Sequence, residues 1–178
     1  YRTFNEPKYK QYIDHLIYFP EFMNASLEGV EVLLVPSQLH GNLLLEAKEK
    51  INEFADAGGI VVAFGPQPWE WLPHQKWEER ETNFWWWREK DAKSGLVLAD
   101  PSYDLFNYIT LADATWHQHG VFWPVEGVQK LITTEDGGAV LYVDKVSTNG
   151  TWIITTLDPD YHFGSYFMPA TERFLDGF

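Results

Sequence analysis

The sequence predicts an α/β domain built on a largely parallel sheet, and three observations carry that prediction. Residues 30–36 (Val-Glu-Val-Leu-Leu-Val-Pro) and 60–64 (Ile-Val-Val-Ala-Phe) are short, branched and nearly all apolar. Strands buried on both faces read that way. Between them lies a helical stretch with Leu44, Ala47, Ile51, Phe54 and Ala55 on one face, ended by Gly58-Gly59. Strand, helix and strand with short connections make a right-handed βαβ unit.

Taken in order, residues 7–19 place Pro7 at a first helical position, followed by Tyr9, Tyr12, Ile13, Leu16 and Ile17. That spacing predicts a helix with one apolar face. After the 30–36 strand, Asn42 is a candidate cap for the next helix. The 60–64 strand closes on Gly65-Pro66. Residues 66–92 then break the pattern. The run from Gly65 to Asp91 holds six of the nine tryptophans, three prolines and many charges. It reads as an insertion, because linkers are not tryptophan-rich. A short strand is predicted at 95–98 and a helical turn at 101–108. The last third reads as antiparallel or mixed sheet: strands at 128–133, 139–143 and 151–157, with Asn149-Gly150 as a hairpin signal. A final helix over 167–178 puts Phe167, Ala170, Phe174 and Leu175 on one side.

Composition bounds the function. The 178 residues suffice for one domain with its own core, so 1–178 is read as a single domain. The 45% hydrophobic and 22% charged fractions are those of a globular chain. A net charge of −13 repels phosphate backbones and anionic lipids, which argues against nucleic acid and membrane surfaces as partners. No apolar run approaches the roughly 18 residues of a membrane helix. No leader pattern opens the chain, so a cytoplasmic location is expected. The first residue is Tyr1 rather than Met, which reads as a truncated start that can hide a leader. Cysteine is absent, and with it disulfides, thiolate metal sites and any thiol nucleophile.

Two stretches carry a family resemblance. Residues 27–36 (Leu-Glu-Gly-Val-Glu-Val-Leu-Leu-Val-Pro) lead to 54–65 (Phe-Ala-Asp-Ala-Gly-Gly-Ile-Val-Val-Ala-Phe-Gly). Near the end stand 137–143 and 150–162, the latter closing on Asp158-Pro159-Asp160-Tyr161-His162. This pattern resembles the class I glutamine amidotransferase-like superfamily, in particular its ThuA-like branch, associated with trehalose utilisation, and the related domain of some β-galactosidases. The resemblance implies a flavodoxin-like sheet flanked by helices. It also implies a first strand ahead of residues 7–19, which would then precede Tyr1 or come from elsewhere. The family's nucleophilic Cys falls on Ala63, in Ala63-Phe64-Gly65-Pro66-Gln67, and its His-Pro-Glu signature falls on Asp158-Pro159-Asp160. Nucleophile and base are both replaced. Without a thiolate there is no thioester, so the chain is not a glutaminase.

In open α/β sheets, ligands bind beyond the carboxyl ends of the strands. Four segments are expected there: 37–40 with Gln38 and His40, 65–67 with Gln67, 116–119 with Trp116, His117 and His119, and 158–162. His117 and His119, and likewise Asp160 and His162, are two apart and share a side if extended. These four are candidate ligands for a divalent metal, since imidazole and carboxylate suit zinc, manganese or iron(II). Alternatively the histidines hydrogen-bond buried backbone. Asp158 or Asp160 can act as general base with His40, His117 or His119 as partner, or the two aspartates can simply cap a turn. Ser37 lacks a nucleophile-elbow motif around it.

The tryptophan-rich insertion also reads two ways. Trp85 and its neighbours can stack on sugar rings beside carboxylates, or pack in the core or against a second subunit or domain. Two functions follow. One is a non-amidotransferase member of the family that binds or processes a carbohydrate-type ligand, as a hydrolase or isomerase if it is an enzyme. The other is a silent structural module that oligomerises, or docks on a neighbouring domain of a longer chain, through its aromatic insertion. A ligand site requires the histidines and aspartates to converge with displaced pKa values.

Overall fold

A computed structural model describes residues 2–82, 84, 90 and 93–178. The fold is α/β, an eight-stranded mixed sheet flanked by helices, consistent with a flavodoxin-like arrangement. The strands are β1 (Val32–Val35), β2 (Ile60–Ala63), β3 (Lys76–Glu79), β4 (Leu96–Leu98), β5 (Gly120–Trp123), β6 (Gln129–Thr134), β7 (Ala139–Asp144) and β8 (Thr151–Thr155). The helices are α1 (Arg2–Asn5), α2 (Pro7–Lys10), α3 (Gly41–Asp56), α4 (Pro159–His162) and α5 (Pro169–Gly177).

The sheet runs β1-β2-β8-β7-β5-β3, with β6 pairing β7 and β4. β1, β2 and β8 are parallel, in the registers Leu33↔Val61 and Val61↔Trp152. β7 turns back antiparallel to β8, joined by a loop in which the Asp144 carboxylate accepts the Val146 and Ser147 N–H groups. The sides of β2 alternate as a pleat requires. Val61 and Ala63 pack with α3 residues Leu44, Ala47, Ile51 and Ala55, whereas Val62 and Phe64 join Phe4, Tyr9 and Leu175. Leu44 and Ile51 are fully buried and contribute about 1.5–3 kcal/mol each by that burial.

Two expectations need correction. Residues 7–19 are helical only at Pro7–Lys10, and Tyr12 is exposed. Beyond Lys10, Ile13 and Ile17 still pack against the core, but not from a continuous helix, while Tyr12 and Tyr18 stay exposed. Helix α3 starts at Gly41 with His40 as its N-cap, not at Asn42. The indole of Trp69 covers Gly41 so closely that a Cβ there would clash with the ring. The tryptophan-rich stretch contributes to the sheet. Its strand β3 pairs with β5 and forms a sheet edge. Its Trp71 is completely buried against Trp152, ring centroids 6.3 Å apart. Trp85, Trp86 and Trp87 lie outside the described residues.

Candidate functional site

The parallel strands bring three turns together at their carboxyl ends. The Phe64 N–H donates to the Val35 carbonyl at 3.1 Å, and the Gly65 N–H to the Leu157 carbonyl at 2.8 Å. Gly65 has φ +87°, a conformation glycine tolerates and L side chains rarely adopt. A Cβ on it would lie 2.6 Å from the Cβ of Ser37 and 3.7 Å from that of Asp158. A glycine therefore lets the turns after β1, β2 and β8 touch.

Onto this junction the chain places His117, Asp158 and His162, whose ligand atoms all lie within 4.8 Å of one another. This group can hold a metal ion. His117 arrives on the segment before β5. Asp158 follows β8, and His162 stands one helical turn later in α4, where residues four apart share a face. The two imidazoles meet with Nε2 atoms 3.1 Å apart. His162 Nε2 is 3.4 Å from Asp158 Oδ2, the distance of an ion contact. The Trp116 indole donates to Asp158 Oδ1 at 3.1 Å.

Electrostatics separates the titratable groups. Burial pushes the His117 imidazole down to about 4, with Asp158 partly opposing, so this ring is neutral at pH 7. Burial works against ionisation of Asp158 as well. The neighbouring His162, the Trp116 indole and His117 overcome it and hold the carboxyl below the usual range. Asp160 goes the other way: burial raises it to about 6, and bonding to Ser37 offsets only part.

Asp160 turns away from the histidines. Its Oδ2 accepts the Ser37 N–H at 3.0 Å, and its own carbonyl accepts from the Thr3 hydroxyl. As a residue Asp160 keeps some exposure, but its Oδ1 is sealed from solvent. Ser37 Oγ, Asp158 Oδ2 and Asp160 Oδ1 are buried with no hydrogen-bond partner among the described residues.

The other expected residues are placed as follows. His119 stands beside His117, ring centroids 5.4 Å apart, with its Nδ1 3.1 Å from the Thr82 hydroxyl. It also lines a shallow groove of about 200 Å³ together with Gln38, Pro66, Pro68, Trp77 and Glu79. Gln38 is exposed there with φ 60°. His40 is exposed at the start of α3 and is not part of the cluster. Gln67 is buried, and its amide is committed to structure. It donates to the Phe64 carbonyl at 3.0 Å and accepts from the Trp71 indole at 2.7 Å. Trp85 lies outside the described residues. Thr82 and Phe84, whose ring centroid is 4.8 Å from that of His117, are contacts that spacing alone did not suggest.

Neither a family model nor a curated protein matches the chain. Solved structures do. One is the exo-β-1,4-mannosidase Op5Man5 from Opitutaceae bacterium strain TAV5, with a TM-score of 0.52 at 14% identity. The match covers 86% of this chain and 25% of the mannosidase, so the chain spans about a quarter of that protein's length. Another is the cytoplasmic protein STM3548 from Salmonella typhimurium, with a TM-score of 0.54, 13% identity and coverage of 95% of this chain and 76% of that one. At such identities the likeness is one of fold.

Proposed function

We propose that the chain is a non-amidotransferase member of the class I glutamine amidotransferase-like superfamily, of the ThuA-like kind, that binds a carbohydrate-type ligand at the strand carboxyl ends. One observation carries this reading. The groove beside Trp77 and Glu79 shares His119 with the surroundings of the His117–Asp158–His162 cluster. An indole offers a flat face to a sugar ring, while Glu79 and Gln38 offer acceptors and donors to its hydroxyls. A divalent cation at the cluster would add an anchor for a hydroxyl. Thiol chemistry is excluded because the chain has no cysteine. A cytoplasmic location belongs to the same proposal, supported by the Salmonella protein, which is described as cytoplasmic.

Saturation-transfer NMR with a panel of mono- and disaccharides tests the reading. At least one sugar should give protein-dependent signals that Trp77→Ala abolishes. Equal signals from wild type and variant, or none from either, would overturn it.

A second reading has its own support. The chain matches about a quarter of a mannosidase, which suits a structural module of a longer glycosidase-like protein. That module would bind no sugar, and its removal would change assembly rather than affinity.

A further inference from the structure

We infer that His117 Nε2, His162 Nε2 and Asp158 Oδ2 form an open three-ligand site for a zinc-type divalent cation. The distances lead there. A tetrahedral zinc with ligands at about 2.0–2.1 Å separates neighbouring ligand atoms by roughly 3.3 Å. Two of the three edges match that separation, 3.1 Å between the imidazole nitrogens and 3.4 Å between His162 and Asp158, and the third, between His117 and Asp158, lies within 4.8 Å. Donor type agrees. Two imidazoles with one carboxylate suit zinc and its neighbours, whereas calcium and magnesium prefer sites made of oxygen.

Proton counting gives the same result. A neutral imidazole presents either a donor or a lone pair at Nε2, never both. If His117 donates to His162, Asp158 Oδ2 is left without a donor. If His162 donates to Asp158, the same hydrogen must also serve His117. No arrangement of neutral rings satisfies all three atoms, and Asp158 is only 2% exposed, so water does not make up the difference freely. A cation satisfies all three at once.

The surroundings suit a metal as well. The Trp116 indole holds Asp158 Oδ1, which leaves Oδ2 for the ion and fixes the carboxylate's orientation. His162 keeps partial exposure, which provides an entry side. Three protein ligands leave the fourth position open, the arrangement of zinc sites that bind water or substrate rather than those that only brace a fold. His119 stays out of the set, with its Nδ1 against the Thr82 hydroxyl.

The test uses zinc(II) itself on tag-free protein stripped with chelator and followed by titration calorimetry. Cobalt(II) substitution then reports geometry through its visible absorption. Zinc should bind one to one, and cobalt should give the intense bands of a tetrahedral centre. His162→Ala should weaken zinc by about 100-fold or more, with far-UV dichroism unchanged. His119→Ala should leave the affinity within a few-fold of wild type. Should His117→Ala fail to fold, His162→Ala alone decides. No zinc binding, an octahedral cobalt spectrum, or equal affinity in wild type and His162→Ala would overturn the inference. Sugar binding that survives without zinc would separate it from the carbohydrate reading.

Discussion

The indole of Trp116 and the carboxylate of Asp158, 42 positions apart in sequence, are joined by a hydrogen bond of 3.1 Å inside the fold. Trp116 also packs edge-on against Phe174 of α5, ring centroids 5.6 Å apart. Trp116→Phe keeps part of that packing and removes the donor. A hydrogen bond to a charged group is worth about 1.5–3 kcal/mol, so denaturant unfolding should show a loss of that size. Zinc affinity should fall about 10–100-fold, the usual effect of losing a group that orients a ligand. An unchanged unfolding midpoint would mean that the bond contributes nothing.

Gln67 is a structural residue by the same logic. Gln67→Leu would leave the Trp71 N–H and the Phe64 carbonyl buried without partners. Each such orphan costs about 1–3 kcal/mol, so the denaturant midpoint should drop clearly. In protein that remains folded, ligand affinity should stay within a few-fold of wild type. A selective loss of ligand with unchanged stability would instead make Gln67 a contact residue.

Gly65 is predicted to be intolerant of a side chain. Its positive φ alone costs about 1–3 kcal/mol for alanine, and the Cβ must also displace Ser37. Gly65→Ala should lower the melting temperature and weaken metal binding together, because Ser37 is tied to Asp160 and Gly65 abuts Asp158. A variant with wild-type stability would show that the turn relaxes without strain.

The edge strand β3 carries a pH-dependent tie. Arg80 donates to both oxygens of Asp136 and to Glu78. Its guanidinium, helped by the Thr134 hydroxyl, holds the Asp136 carboxyl well below the ordinary carboxylate value. A depressed carboxyl stabilises the fold above its unfolded value of about 3.9, and the benefit fades as pH falls through the lower folded value. Asp136→Asn should therefore be less stable than wild type at pH 7, with the gap closing below about pH 4. The effect is small because the pair is exposed to solvent. Parallel urea melts at pH 7 and pH 3 check it, and a gap that widens in acid would contradict it.

Legibility in the sequence follows burial. The apolar runs at 30–36, 60–64, 139–143 and 151–157 become β1, β2, β7 and β8; β2 and β7 are enclosed along nearly their whole length, whereas β1 is a sheet edge with Val32 half-exposed. Strand β3 has no such signal. Lys-Trp-Glu-Glu carries three charges in four residues, which suits a guarded sheet edge and conceals a strand. The candidate site divides the same way. The strand-end rule selects the segments that hold His117, Asp158 and His162. The Asp160–His162 pairing assumes extended chain, whereas residues 159–162 coil into α4, so His162 faces Asp158 instead. The role of Gln67 depends on Trp71, whose burial no local pattern announces.

The Thr3 hydroxyl bonds the Asp160 carbonyl across 157 positions, and Ser37 reaches Asp160 across 123. The turn that carries Asp158 and His162 is thus tied to residues from the start of the sequence, while His117 reaches the cluster from another segment. Contacts of such long sequence separation bear the largest loop-closure cost and favour slow folding. A nascent chain still short of Asp158 and His162 holds only one member of the cluster. Zinc capture by a refolding or translating chain would then time the closure of the whole fold, in the manner of a clasp fastened after the rest of the garment is on.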